Sequence, residues 1–142
     1  HIHLIEPLAE VNTYDLMDIA DLGLVYTTTV GLEMAMRGIP VIVAGKTHYR
    51  NRGFTHDPNT WVDYFKLLNR LLTCLRECRL QEDQVNLAWK YAYLFFFKYP
   101  LPFPWHMTRL KEDLEEYPLE YVLSEPGLEK FRSTLQLLLS TR

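Results

Sequence analysis

The sequence predicts an α/β fold, a partial Rossmann-like parallel sheet followed by helices. Three observations carry that expectation. Residues 22–26 and 40–44 are short, continuously apolar runs, as strands covered on both faces are. Between them, residues 30–37 have helical character and stop at Gly38, a usual residue just past a helix end. Beyond residue 57, apolar residues recur at helical spacing. Short connections and right-handed crossovers then place the strands at the edge of a doubly wound sheet.

The elements follow in order. Residues 2–5 (Ile2, His3, Leu4, Ile5) read as a first short strand, closed by Glu6-Pro7. Asn12 or Thr13 caps a helix over residues 14–20, with Asp15 suited to the positive end of its dipole and Leu16, Ile19 and Ala20 as its apolar face. The two apolar strands and their connecting helix complete a β-α-β-α-β segment over residues 1–57. Asp57-Pro58 then opens a helix carrying Trp61, Tyr64, Phe65, Leu68, Leu71, Leu72 and Leu75. A second helix runs over residues 81–98. Val85, Ala88, Tyr91, Ala92, Phe95 and Phe96 form one face, thickened by Tyr93, Leu94 and Phe97. A helix apolar nearly all round is buried from several sides, which predicts a covering surface from another domain or from a second copy of the chain. Residues 58–99 are read as completing the first domain. Residues 100–142 form a proline strap (Pro100, Pro102, Pro104) and a C-terminal helix begun at Glu125-Pro126-Gly127, with Ser124 as a cap and Leu128, Phe131, Leu135, Leu138 and Leu139 as its stripe.

Composition narrows the function classes. The chain has 142 residues, 48% of them hydrophobic, and a net charge of −3. That suffices for a core and lacks the basic excess of a nucleic-acid binder. The longest apolar stretch, residues 91–97, is far short of the ~20 residues of a membrane span. Cys74 and Cys78 lie four apart in a helical pattern, too few for a zinc site and poorly oriented for a bridge within a helix, so free thiols in a reducing cytosol are expected. The acidic residues are scattered, and no metal site or cofactor is predicted. The chain opens on His1 without a leader, and reads as a piece of a longer protein.

The chemistry concentrates in residues 20–58. A buried strand ends at Tyr26, three threonines (Thr27, Thr28, Thr29) form a turn, and a helix begins at once. Open N–H groups of a helix's first turn, at the carboxyl end of a parallel strand, suit an anion. The threonine hydroxyls donate to phosphate oxygens, and Gly31 permits close approach. Glu33 offers two acceptors to a ribose diol. The same residues also read as an ordinary capped helix start, with Glu33 complementing the dipole.

The stretch Thr28-Thr29-Val30-Gly31-Leu32-Glu33-Met34-Ala35 followed by Gly38-Ile39-Pro40-Val41 resembles the C-terminal, donor-binding half of GT-B glycosyltransferases and of sugar-nucleotide 2-epimerases. Its extension, Lys46-Thr47-His48-Tyr49-Arg50-Asn51-Arg52-Gly53-Phe54-Thr55-His56-Asp57, is similar to the bacterial capsule polysaccharide biosynthesis family, which includes Kdo transferases. The likeness is good over residues 12–58, compatible over 59–104 and does not reach the tail. It implies a donor site for a CMP- or UDP-linked sugar. Thr28 and Thr29 meet the phosphate, Glu33 holds the ribose, and Lys46, Arg50 and Arg52 offset negative charge. His48 donates to the leaving phosphate. It further implies a glycan acceptor, a missing N-terminal domain carrying the catalytic base, and a bacterial cytoplasmic location, at most peripheral to the inner membrane. An epimerase on the same architecture and a non-catalytic scaffold of polysaccharide export are the alternatives. His1, His3 and His106 are read as structural or incidental.

Overall fold

The computed structural model describes residues 2–6, 8–74 and 77–140. The chain divides into two compact units, His1–Leu94 and Phe95–Arg142. It is an α/β protein, mostly helical, whose described residues include a two-stranded parallel sheet.

In the first unit, helix α1 (Thr13–Ile19) is capped by Asn12, whose side chain accepts the Tyr14 N–H at 2.9 Å. Strand β1 (Gly23–Val25) pairs in parallel with β2 (Val41–Val43), Leu24 opposite Ile42. Helix α2 (Val30–Met36) crosses between them. It stops at Gly38, whose φ of +75° is open to glycine at little cost. On its far side β2 is bridged by His56: the Val43 N–H donates to the His56 carbonyl and the His56 N–H to the Val41 carbonyl, at 2.9 and 2.8 Å. All three residues of β2 are fully buried, as their uninterrupted apolar run predicts.

Helix α3 (Trp61–Cys74) and helix α4 (Glu82–Tyr93) complete the unit. The small Ala88 and Ala92 let α4 pack closely on α2, and the Trp89 indole N–H reaches the Met36 carbonyl at 3.0 Å. Gln81 and Gln84 form a reciprocal capping box at the start of α4. The core gathers Met17, Leu32, Ile39, Tyr49 and Phe54 with the β2 valines.

Several expectations are corrected. Residues 2–5 form no strand. Ile2 and Leu4 are exposed and no described segment pairs with them; an apolar run becomes a strand only where a neighbour takes up its backbone groups. The face that α1 buries is Met17, with Ala20 beyond its end, while Ile19 is exposed. Helix α3 begins three residues beyond Pro58. Thr60 caps it, accepting the Asp63 N–H at 3.1 Å and donating to the Asp63 carboxylate at 2.7 Å. Leu75, expected on the apolar stripe of this helix, lies outside the described residues. Cys74 and Cys78 are joined by a disulfide. Helix α3 ends at Cys74, and Cys78 belongs to the turn beyond it, its N–H on the Cys74 carbonyl at 3.0 Å and the two Cα atoms 5.5 Å apart.

Helix α4 runs on into a π-helical turn (Leu94–Lys98) in which Phe96 and Phe97 are exposed, so the expected all-round burial is not met within the chain. The second unit follows its proline strap with a 3-10 turn (Met107–Arg109), α5 (Leu110–Glu116), α6 (Leu119–Val122), α7 (Glu125–Lys130) and α8 (Arg132–Ser140). Ser124 caps α7 as expected, but the helix breaks at Phe131, which points into this unit's interior. No helix among the described residues is long and apolar enough to cross a membrane.

Candidate functional site

The strand-turn-helix unit forms as the sequence predicts. Thr28 and Thr29 are exposed on the turn after β1. Part of the turn's hydrogen-bonding capacity is already used. Thr28 Oγ1 accepts the Val30 N–H at 3.2 Å, and the Leu32 and Glu33 N–H groups close on the Thr29 carbonyl at 2.9 and 3.3 Å. The Thr28 hydroxyl keeps its own hydrogen for an outside acceptor.

Gly31 is placed differently from expectation. It is buried, and a Cβ there would lie 2.4 Å from the Tyr49 hydroxyl oxygen and 2.9 Å from a Val25 methyl. That hydroxyl donates to the Thr28 carbonyl at 2.5 Å. The close approach that Gly31 permits is therefore made by the protein's own phenol. Tyr49 is fully buried, and burial pushes its pKa up, keeping it a neutral donor.

Glu33 is half-exposed on the side of α2 that faces α1. The Glu33 carboxylate beside Tyr14 raises the Tyr14 pKa. Arg37 lies 5.2 Å from the Tyr14 ring centre and pairs with Asp18. The Glu33 carboxylate is half-exposed, so acceptor sites on it border solvent.

The loop over residues 46–57 divides into parts that face outward and parts that hold it together. Lys46 and Arg52 are exposed, Arg52 stacked 5.7 Å from the Tyr91 ring centre. Arg50 is not the outward-facing cation expected. Its guanidinium donates to the Gly45 carbonyl at 2.9 Å, to the Pro58 carbonyl and to Asn59 Oδ1 at 3.4 Å, closing the loop's two ends. Its five donors suit such a clamp. His48 is tied to α4: the Tyr91 hydroxyl donates to the His48 carbonyl at 2.7 Å and sits 3.1 Å from Nδ1. The neutral ring carries one N–H and one lone pair. Burial lowers the His48 pKa, which favours this neutral form.

The Gly-Phe-Thr-x-Asp sequence is a fold element. The Asp57 carboxylate accepts the Asn51 N–H at 3.0 Å and the Thr55 hydroxyl at 2.9 Å, while Phe54 is fully buried. Asn51 and Gly53 take positive φ angles of 58° and 91° around the bend.

A crevice that sequence reasoning missed opens at the carboxyl ends of both strands. Tyr26 and Ala44 form one side, and Pro58, Asn59, Thr60, Trp61 and Tyr64 the other, around about 430 Å³. Trp61 and Tyr26 are each 71% exposed. The only sequence signal was Tyr26 as the last residue of an apolar strand beside the Thr turn; Trp61 and Tyr64 read as helix core.

In the second unit, His106 and Asp113 form a pair of their own. The Asp113 carboxylate is buried and accepts both the His106 backbone N–H at 2.8 Å and its Nδ1–H at 2.9 Å. These bonds hold the Asp113 carboxyl below its ordinary pKa. Comparison with protein-family models, curated proteins and solved structures finds no match to this chain.

Proposed function

We propose that the chain is the donor-binding part of a glycosyltransferase of GT-B architecture, of the kind that builds bacterial surface polysaccharide. It binds a CMP- or UDP-linked sugar at the turn between β1 and α2. The observation that supports this reading is the disposition of three side chains at the carboxyl end of a parallel strand: Thr28 and Thr29 exposed on the turn, Glu33 half-exposed beside it. Ligands of open α/β sheets bind at such strand ends. Lys46, two residues beyond Ala44 and exposed, adds positive charge on the same side of the sheet. Arg50 is reassigned from ligand contact to loop closure, and His48 to loop attachment.

Calorimetric titration of CMP and UDP into the full chain tests the proposal. Saturable binding that weakens about tenfold or more in Glu33→Ala is expected, because a carboxylate bonded to both ribose hydroxyls contributes charge-assisted bonds. Unchanged affinity in that variant refutes the ribose contact. The chain by itself transfers nothing in this reading, since the family's base and acceptor site belong to the other domain.

One observation favours the scaffold alternative. In the second unit Phe97, on the π turn, and Tyr99, just beyond it, stand exposed, more aromatic surface than a solvated helix end ordinarily carries. Full-length protein that binds no nucleotide, yet captures an export partner through residues 81–104, would replace the first reading.

A further inference from the structure

The crevice between the strand ends and the start of α3 is used by nothing described above. We propose that it is a carbohydrate-ring subsite, in which the apolar face of a pyranose lies on the Trp61 indole against Tyr26. The proposal deepens the donor reading and rests on it only for the identity of the sugar as the transferred group.

Four features of the crevice select this ligand. Its volume, about 430 Å³, falls within the roughly 300–1,000 Å³ of small-molecule sites. Among the described residues no charged side chain lines it, which suits a neutral ring better than a phosphate. Two of its walls, Tyr26 and Trp61, are exposed aromatics, and the Trp61 ring is braced in place by Tyr64 in edge contact at 5.7 Å and by Phe65 stacked at 6.2 Å. A braced ring loses little freedom when a ligand covers it. The rim supplies neutral hydrogen-bonding groups. Arg50 directs an N–H at Asn59 Oδ1, leaving the Asn59 amide hydrogens for a hydroxyl oxygen. Aromatic faces joined to neutral donors and acceptors match a ring with an apolar face and a hydroxyl edge.

Position separates the sugar from the base. Glu33 lies toward α1, beside Tyr14. The crevice lies beyond the carboxyl ends of both strands, between Tyr26 and Ala44 on one side and the start of α3 on the other. A nucleotide sugar with phosphate at the Thr turn and ribose at Glu33 extends its base away from β2 and its sugar toward the crevice.

The test needs no knowledge of the donor. Saturation-transfer NMR is recorded on the full chain with a panel of methyl pyranosides, and separately with CMP and UDP. Saturation of pyranoside ring C–H protons is expected, reduced at least fivefold in Trp61→Ala, partly retained in Trp61→Phe and unchanged in Trp105→Phe. Circular dichroism checks that the fold of each variant is kept. Absence of pyranoside saturation, or saturation that Trp61→Ala leaves intact, overturns the subsite. So does loss in Trp61→Ala of saturation at the pyrimidine protons of CMP or UDP, which assigns the crevice to the base. Pyranoside binding without any nucleotide binding upholds the subsite while the donor reading fails.

Discussion

Replacing Gly31 by alanine distinguishes two reasons for a glycine at that position. If Gly31 is small to admit a ligand, the alanine variant keeps its stability and loses nucleotide affinity. The structure supports a different outcome. The new methyl would meet the Tyr49 hydroxyl at 2.4 Å and a Val25 methyl at 2.9 Å. Tyr49 is fully buried, so it has no open space to retreat into. Displacing it forfeits the hydrogen bond to the Thr28 carbonyl, about 0.5–1.5 kcal/mol. Overpacking of this kind costs about 1–3 kcal/mol. Against these stands a gain of at most about 1 kcal/mol from alanine's helix propensity. The net is a destabilisation of about 1–3 kcal/mol. At roughly 2–4 °C per kcal/mol for a chain near this size, the midpoint falls by about 2–12 °C. Urea denaturation of wild type, Gly31→Ala, Tyr49→Phe and the double variant measures the coupling directly. With the hydroxyl gone, the alanine substitution should cost at least 1 kcal/mol less than in the wild-type background, by the same overpacking estimate. Equal costs in the two backgrounds would show that the phenol is not what holds this position to glycine.

The remaining predictions concern the loop and the cysteines. Arg50→Ala is expected to lower stability by about 1.5–3 kcal/mol through the lost charge-assisted bonds to the Gly45 and Pro58 carbonyls, while Arg52→Ala stays within about 0.5 kcal/mol; thermal unfolding of both variants checks the contrast. Burial first, then the nearby Arg70 charge, lowers the folded-state pKa of His56. Its contribution to stability is therefore complete above the unfolded pKa near 6.5 and is lost as pH falls through the lower folded value. Urea midpoints between about pH 7.5 and 5 should decline in wild type and flatten in His56→Gln; an identical slope in both refutes the assignment. Reduction of the Cys74–Cys78 bridge, or its replacement by two serines, should cost roughly 2 kcal/mol for so short a loop. Alkylation with mass spectrometry under non-reducing conditions should find neither thiol free.

Much of the first unit was legible in order. The unbroken apolar runs of the two strands, the glycine ending α2 and the asparagine cap of α1 are local signals, as is the serine cap of α7 in the second unit, because each reflects backbone chemistry within a few residues. Thr28, Thr29 and Glu33 stand where their sequence positions put them, since a strand followed at once by a helix leaves the turn few conformations. The loop beyond β2 was less legible. Lys46, Arg50 and Arg52 are alike as cations in a sequence; which faces outward depends on carbonyls contributed by Gly45 and Pro58. Gly31 and Tyr49 are 18 positions apart, and only their packing reveals that one accommodates the other.

Local sequence therefore determined the two strands, the helices α1 to α4 and the chemical character of the turn, because hydrogen-bonding periodicity and capping act over one or two helical turns; it did not separate α5, α6, α7 and α8 in the second unit. Tertiary structure decided two things that depend on distant neighbours. The apolar residues 2–5 stay outside the sheet because no described segment pairs with them. The exposed aromatics Tyr26 and Trp61 face one crevice because the strand ends and the start of α3 meet there. Side-chain roles of this kind arise from contacts between residues far apart in the chain, and a sequence pattern carries no record of those distances.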